Sequence, residues 1–474
     1  MDSKVCKSFW ERHYQLSSHG TNIRTEVLAG ITTFVTIAYV LILNPIIMSD
    51  PYLILGQPVM AEKIHNGVFI GTCLGAFIGT FLDAVYARLP YAQAPGMGLN
   101  AFFAYTVVLA FGYSYAQALV VVLIAGILFI IITAIGLREA IIYDIPSCIK
   151  KAITPGIGLF ITIIGLKNGG LIVGNDATLV ALVDFAQLRN PEVEHLPIAG
   201  ALVALIGLIT MGILHARQVK GSIMIGILTA TLAGIPLGVT QINSIDFNIT
   251  AKFSDFFEVS FFKMDFTGLF AKGDLGQTIF TIVMLVISFS LVNMFDSIGT
   301  LMGAAKQSGM MDEHGTPLRL RQALMSDAIS TTAGACLGTS TITTVVECSA
   351  GIAAGGRTGL TSLVTAALFL FSIVLSPIVG IVPSYATAPA LIFVGILMLS
   401  NIRDVDFEEM TEALPAFCTI VFMPFTYSIA NGAAMGLITY CIMKLFTGRA
   451  REIKPLTAII ALIFVIRYSC MTLG

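Results

Sequence analysis

The sequence predicts an all-α polytopic membrane protein of 14 transmembrane spans, built as two inverted seven-span repeats. Three observations carry that expectation. Of 474 residues, 56% are hydrophobic and only 11% are charged, under half the roughly 25% of a soluble domain. So few charged side chains cannot cover globular surfaces, and the chain must expose apolar surface to lipid. Apolar runs recur at close to the length, about 20 helical residues, that crosses a bilayer core of about 30 Å. A long polar stretch, residues 240–276, then divides the chain near its middle, leaving an odd number of spans on each side. An odd number per half forces the second half to insert upside down relative to the first, the arithmetic of an inverted-repeat secondary transporter.

Taken in order, residues 1–24 form an N-terminal segment with Lys4, Lys7, Arg12 and Arg24 and no apolar core, so no cleavable signal is expected. Lys4–Leu16 either lies on the membrane surface or forms a tail. The first half has strong runs at Val27–Met48, Gly67–Val85, Ala116–Leu137, Ala152–Leu166, Ile198–Leu214 and Ser222–Val239, and a Pro/Gly-broken one at Ala94–Gly112. The second half has Gln277–Leu301, Leu360–Val382 and Ala388–Leu399, with weaker runs at Ala323–Gly338, Thr343–Ala354, Ala413–Ile429 and Asn431–Phe446. Residues 449–474 end the chain, and Leu456–Tyr468 there either crosses as an extra helix or lies flat. With the N-terminus cytoplasmic, most basic residues, among them Arg88, Lys150, Lys151, Arg217, Arg357, Arg403 and Lys444, fall on the cytoplasmic side. That is the positive-inside pattern, and it predicts a multi-pass protein of the cell membrane.

Two segments break the helical pattern. Tyr91–Phe103 opens with Pro95 and Gly96 before turning apolar, and Gly338–Gly351 is polar, β-branched and bounded by glycine. Each reads as a short extended piece feeding a short helix, in spans 3 and 10. Such backbone survives at membrane depth only where protein or a water-filled cavity satisfies it. Two loops at the membrane surface are the alternative.

Ionisable residues inside spans cost roughly 2.5–3.5 kcal/mol each on insertion scales. Asp296 lies within Gln277–Leu301, and Glu347 lies within the second break. Asn293 and Asp296, three residues apart, are neighbours on a helix. Asn100 adds an amide from the first break. Two carboxylates and two amides, without a cluster of buried Arg or Lys, suit a neutral, planar, hydrogen-bonding solute and leave a carboxylate to carry a proton. Asp83 and Arg88 read as interfacial. Glu26 reads as a carboxylate at its own helix N-terminus.

Other classes fit less well. An anion exchanger or channel of related architecture wants basic or neutral site residues. A membrane enzyme finds no support: the six histidines fall at loops or span ends, and no H-E-x-x-H motif or phosphate loop occurs. A net charge of −2 excludes nucleic-acid binding driven by basicity. The eight cysteines form no C-x-x-C pair and read as small core residues. No cofactor is expected beyond a proton as coupling ion.

Four segments carry a resemblance: Gly30–Asn44 (GITTFVTIAYVLILN), Pro95–Phe103 (PGMGLNAFF), Asn293–Gly303 (NMFDSIGTLMG) and Gly338–Gly359 (GTSTITTVVECSAGIAAGGRTG). Together they resemble the AzgA-like purine permeases of the nucleobase–cation symporter 2 superfamily, over nearly the whole chain. The resemblance implies a core domain of spans 1–4 and 8–11 (residues 25–137 and 277–382) and a gate domain of spans 5–7 and 12–14 (residues 138–239 and 383–448). It also implies a homodimer in lipid and secondary active uptake of a purine nucleobase with a proton. The family's span-3 Asn matches Asn100, its span-10 Glu matches Glu347, and the second carboxylate of its span-8 motif matches Asp296. The expected substrate-binding set is Asn100, Asn293, Val346 and Glu347, with Asp296 and Glu347 coupling the proton. Many relatives have Asp where this chain has Asn293. A carboxamide offers a donor beside an acceptor, as adenine does, the complementarity by which Asn reads adenine in DNA. Asn293 therefore leans the site toward adenine, with hypoxanthine and guanine as further substrates.

Overall fold

The computed structural model describes residues 9–136, 144–189, 195–240, 249–270, 275–311, 317–379 and 381–471. It is a predominantly helical, polytopic bundle. Among the described residues, seven helices are long and apolar enough to cross a membrane: Ile23–Ile54, Pro58–Ala87, Tyr115–Ala134, Ser147–Asn168, His195–Ala216, Ser384–Asp404 and Ile429–Phe446. Shorter apolar helices include Met97–Ala110, Ser222–Gly234, Gly359–Leu375, Met410–Phe425 and Pro455–Ile466.

Local signals set the helix ends. Asn22 accepts the Thr25 N–H at 3.0 Å and starts the first helix. Ser114 and Gln117 form a reciprocal capping box at the start of Tyr115–Ala134. Glu26 differs from its sequence reading. It is fully buried and accepts from the N–H groups of Arg357 (2.9 Å), Thr358 (3.3 Å) and Thr361 (3.2 Å), and from the Thr361 hydroxyl (2.6 Å). Its carboxylate therefore caps the helix beginning at Gly359, a connection across more than 300 residues of chain.

Ser147–Asn168 packs along Ser384–Leu399, and both pack against Met410–Phe425 or His195–Ala216. Glycines let the first pair touch backbone to backbone. A Cβ at Gly158 would sit 2.8 Å from Gly395 O, and one at Gly165 would sit 2.9 Å from Ala388 O. The polar stretch after residue 239 is more than a tether. Its helix Ile249–Asp255 and the turn Phe256–Ser260 lie on Pro58–Leu82, through Lys63–Glu258 (2.5 Å) and Asn66–Asp255 (2.8 Å). Phe262 N–H donates to Cys336 O (2.8 Å), so this stretch joins the two halves. Residues 241–248 and 271–274 of it, and Arg138, lie outside the described residues.

Lys444, read from the sequence as a basic residue on the cytoplasmic side, is fully buried and paired with Glu412 at 2.7 Å, Glu452 at 2.9 Å and Glu409 at 3.9 Å. Three charged partners offset the desolvation that an isolated ammonium would suffer. The C-terminal Pro455–Met471 helix packs on Ile429–Phe446, where Tyr468 donates to Asn431 Oδ1 at 3.1 Å.

Candidate functional site

Two short strands bring the halves together. β1 (Gln93–Pro95) pairs antiparallel with β4 (Ile342–Thr344), Gln93 opposite Thr344 and Pro95 opposite Ile342. A separate hairpin of β2 (Ile172–Asn175) and β3 (Leu179–Leu182) lies between the fifth and sixth apolar runs. Pro95 lacks an N–H and ends the first strand. Beyond the ladder, Gly96 N–H donates to Thr341 O (3.3 Å) and Val345 N–H to Ala92 O (3.1 Å), so the irregular backbone is satisfied by protein. β1 runs into Met97–Ala101, which continues as a wide turn to Ala110, and β4 leads into Cys348–Ala353.

A cavity of about 560 Å³ opens beside this crossing, within the size range of small-molecule sites. Tyr39, Gly96, Met97, Gly98, Val346 and Glu347 line it next to the strand pair. Exposed Lys151, Asn401 and Asp404 line its mouth. Glu347 stands at the N-cap of Cys348–Ala353, and the Tyr39 hydroxyl donates to its Oε1 at 2.6 Å. Tyr39 starts a new helical segment after Ala38, which aims its ring across to the second half. Val346 is 55% exposed, toward the cavity it lines.

The other expected residues lie elsewhere. On Leu275–Ser308 the cavity-lining positions are Val292, Thr300, Gly303 and Ala304. Position 296 is four residues from both Val292 and Thr300, on that stripe; the Asp296 side chain lies outside the described residues. Asn293 takes the adjacent stripe. It is 1% exposed, donates to Thr331 Oγ1 at 3.4 Å and accepts from Ser297 at 3.5 Å, so it faces Leu320–Cys336 rather than the cavity. Asn100 is buried, and its Oδ1 accepts from the Ser340 hydroxyl. The structure thus brings Glu347 and Val346 to the cavity and sets Asn100 and Asn293 one layer behind its wall.

Sequence reasoning missed Tyr39, whose hydroxyl inside an apolar run was the available signal. It also missed Asp327, in a span dense with Ser and Thr. Asp83, read as interfacial, is fully buried and accepts from Gln93 Nε2 at 2.9 Å. The helix runs on to Ala87, and the chain that follows brings Gln93 back onto Asp83.

The end of Ser147–Asn168 away from the cavity mouth is closed. There Tyr105 donates to Asp50 Oδ2 at 2.6 Å and accepts from Asn168 Nδ2 at 3.0 Å. Thr106 donates to Tyr427 O at 3.0 Å, and Lys167 Nζ lies 5.8 Å from the Tyr427 ring centre. This clasp ties the first and third runs to the fifth.

A multi-pass bundle with two crossed chain breaks and a cavity open at one end defines a membrane transport protein. The comparisons agree. The chain belongs to the Xan_ur_permease family, a permease family whose model matches residues 24–453. It is 40% identical to the adenine permease AdeP of Escherichia coli over 96% of this chain and 95% of that one. It is 38% identical to the guanine/hypoxanthine permease PbuO of Bacillus subtilis over 96% and 99%. In fold it resembles the transmembrane domain of the cyanobacterial bicarbonate transporter BicA, with a TM-score of 0.60 at 17% identity, over 86% of this chain and 97% of that one. The chain is an AzgA-like permease and a transporter rather than an enzyme.

Proposed function

We propose that this permease takes up purine nucleobases by proton symport, adenine foremost and hypoxanthine or guanine besides. The observation that carries the reading is Glu347, a carboxylate fixed by Tyr39 on the wall of the cavity, in a chain aligned end to end with adenine and guanine/hypoxanthine permeases. A purine edge presents N–H groups, and a carboxylate is a strong acceptor for them. Glu347 and Val346 meet the base. Asn100 and Asn293 act through the walls they brace, and Asn293 leans the choice toward adenine. Asp296 and Glu347 couple the proton, which gains about 2.3 kcal/mol per 100 mV on entry.

Alternating access moves a core of residues 25–137 and 277–382 against a gate of residues 138–239 and 383–448. The gate forms the dimer contact in the cell membrane, and the N-terminus is cytoplasmic. The likeness to a bicarbonate transporter invites an anion-exchange reading, but a carboxylate on the cavity wall repels an anion. The test is uptake of labelled adenine, hypoxanthine and uracil with and without a protonophore. Purine accumulation that collapses with protonophore supports the reading. Accumulation that ignores it and follows a sodium gradient sinks proton coupling, and failure of every purine sinks the substrate assignment.

A further inference from the structure

Behind the strand pair, away from the cavity, two fully buried carboxylates are linked through the ladder: Asp83 at the end of Pro58–Leu82, through Gln93, and Asp327 on Leu320–Cys336, through Thr344. Their surroundings differ. Asp327 Oδ1 accepts from Thr344 N–H (2.8 Å) and the Thr344 hydroxyl (3.3 Å), and Oδ2 accepts from the hydroxyls of Ser297 and Thr343, the latter at 3.4 Å. That many donors is the solvation an ionised carboxylate needs. Asp83 Oδ2 accepts from Gln93 Nε2, with the Ser326 hydroxyl adjacent, but among the described residues its Oδ1 has no hydrogen-bond partner, and neither has Gln93 Oε1. Two buried acceptors without donors each carry a desolvation penalty that nothing offsets. A proton on Asp83 turns one of those acceptors into a donor and removes a charge that would repel Asp327.

Among the described residues, the groups around Asp83 supply no close compensating cation. Leu320–Cys336 contributes Asp327, the chain leading into β1 contributes the Tyr91 hydroxyl, and the second break contributes the Cys348 thiol. The packed helix Gly359–Phe371 carries no titratable side chain. Tyr14 reaches the backbone near Ala84 through Gly359, and the Arg319 guanidinium is committed to Ala87 O at 3.0 Å.

We propose that Asp83 is a protonation site, holding an exchangeable proton as a neutral acid opposite an ionised Asp327. This rests on the transport reading above and adds to it a proton site separate from the cavity. Its release is simple: the Asp83 O–H bond breaks, the proton passes to water, and the electron pair stays on the carboxylate. The consequence reaches the cavity through the strands. Asp83 holds Gln93 and Asp327 holds Thr344, and these two residues are paired across the ladder. Thr344 also lines the cavity. Deprotonation leaves the strand pair clamped between two like charges.

The test uses the full chain in proteoliposomes. Asp83→Asn keeps the shape of the neutral acid. It is expected to retain exchange of labelled purine across the membrane and to lose accumulation driven by a pH gradient. That accumulation reaches about tenfold per pH unit for one proton in the wild type and onefold in the variant. A variant that accumulates like the wild type overturns the proposal. Infrared spectra decide the matter even where the variant does not fold. Wild-type protein with carboxyl-labelled aspartate should show a protonated C=O band that shifts with the isotope and loses a component in Asp83→Glu. No such band in the wild type, or a band of undiminished intensity in Asp83→Glu, overturns it as well. Wild-type protein that exchanges no purine defeats the nucleobase reading, while the infrared band still judges Asp83.

Discussion

Gly96–Gly98 and Val345–Glu347 reach the cavity from opposite strands of one ladder, yet they face it with different chemistry. The first break presents glycine backbone and the apolar side chains of Pro95, Met97 and Leu99. A Cβ at Gly98 would lie 2.5 Å from Ile157 Cγ2, so no larger residue fits without displacing the wall. Its polar side chain, Asn100, turns back to Ser340. The second break puts a carboxylate on the cavity wall and fixes it with a tyrosine from the first half. One wall thus sets shape with apolar groups and close-packed glycine, and the other sets polarity by a single held charge. An internal repeat can keep one backbone plan twice while dividing recognition between the copies.

The largest blow to this division is Glu347→Gln. Losing a charged acceptor is expected to weaken base binding by about 1.5–3 kcal/mol, or roughly 10- to 150-fold, and to abolish uptake. Competition against labelled adenine reads the first and accumulation the second; unchanged competition would remove Glu347 from the site. Next is Gly98→Leu, which overpacks the shape wall against Ile157 at a cost of about 1–3 kcal/mol. Uptake should fall while thermal unfolding in detergent still shows a cooperative transition. Uptake at the wild-type rate would mean that the first break does not bound the substrate.

Tyr39→Phe should weaken binding by about 1–2 kcal/mol, or roughly 5- to 30-fold. In the Glu347→Gln background the same change should cost far less, since the two side chains act as a unit. Full additivity in that cycle would show that Tyr39 does not work through Glu347. The smallest effect belongs to Asn293→Asp. From behind the wall it should shift the adenine-to-hypoxanthine preference by about 1 kcal/mol, near fivefold, away from adenine. Equal changes for every purine would end its role in reading the base.

The sequence made the polytopic helical class and both breaks legible because hydropathy and Pro/Gly placement report directly on lipid contact and helix interruption. Glu347 was legible for the same reason, as a charge where charge is costly. Helix phase was not. Asn293 and Asp296 are neighbours on a wheel, but three residues' spacing does not say which of two adjacent stripes meets the cavity; the ring of Thr331, Ser297 and Asp327 takes Asn293. Burial at helix ends was equally hidden. Glu26, Asp83 and Lys444 all sit at the end of a run of apolar residues, and each is covered by chain beyond its own helix: Glu26 by Arg357, Thr358 and Thr361, Asp83 by Gln93, and Lys444 by Glu412 and Glu452. Tyr39 was hidden because a tyrosine within an apolar run reads as bulk until its partner, 308 residues away, is in place.

The clasp of Asp50, Tyr105 and Asn168 has an electrical meaning. The helix that carries Lys151 at the cavity mouth carries Asn168 at the clasp, and its 22 residues span about 33 Å, the thickness of the insulating layer. A water-filled recess that reached both faces would be a shunt, and the stored potential would drain through it without moving any cargo. With the far end pinned by oriented hydrogen bonds and an aromatic plug, most of the voltage falls across the short stretch of closed protein rather than across the recess. Ions entering the recess meet that dielectric and go no further. The permease can then hold this chamber open to one side while the membrane around it stays charged.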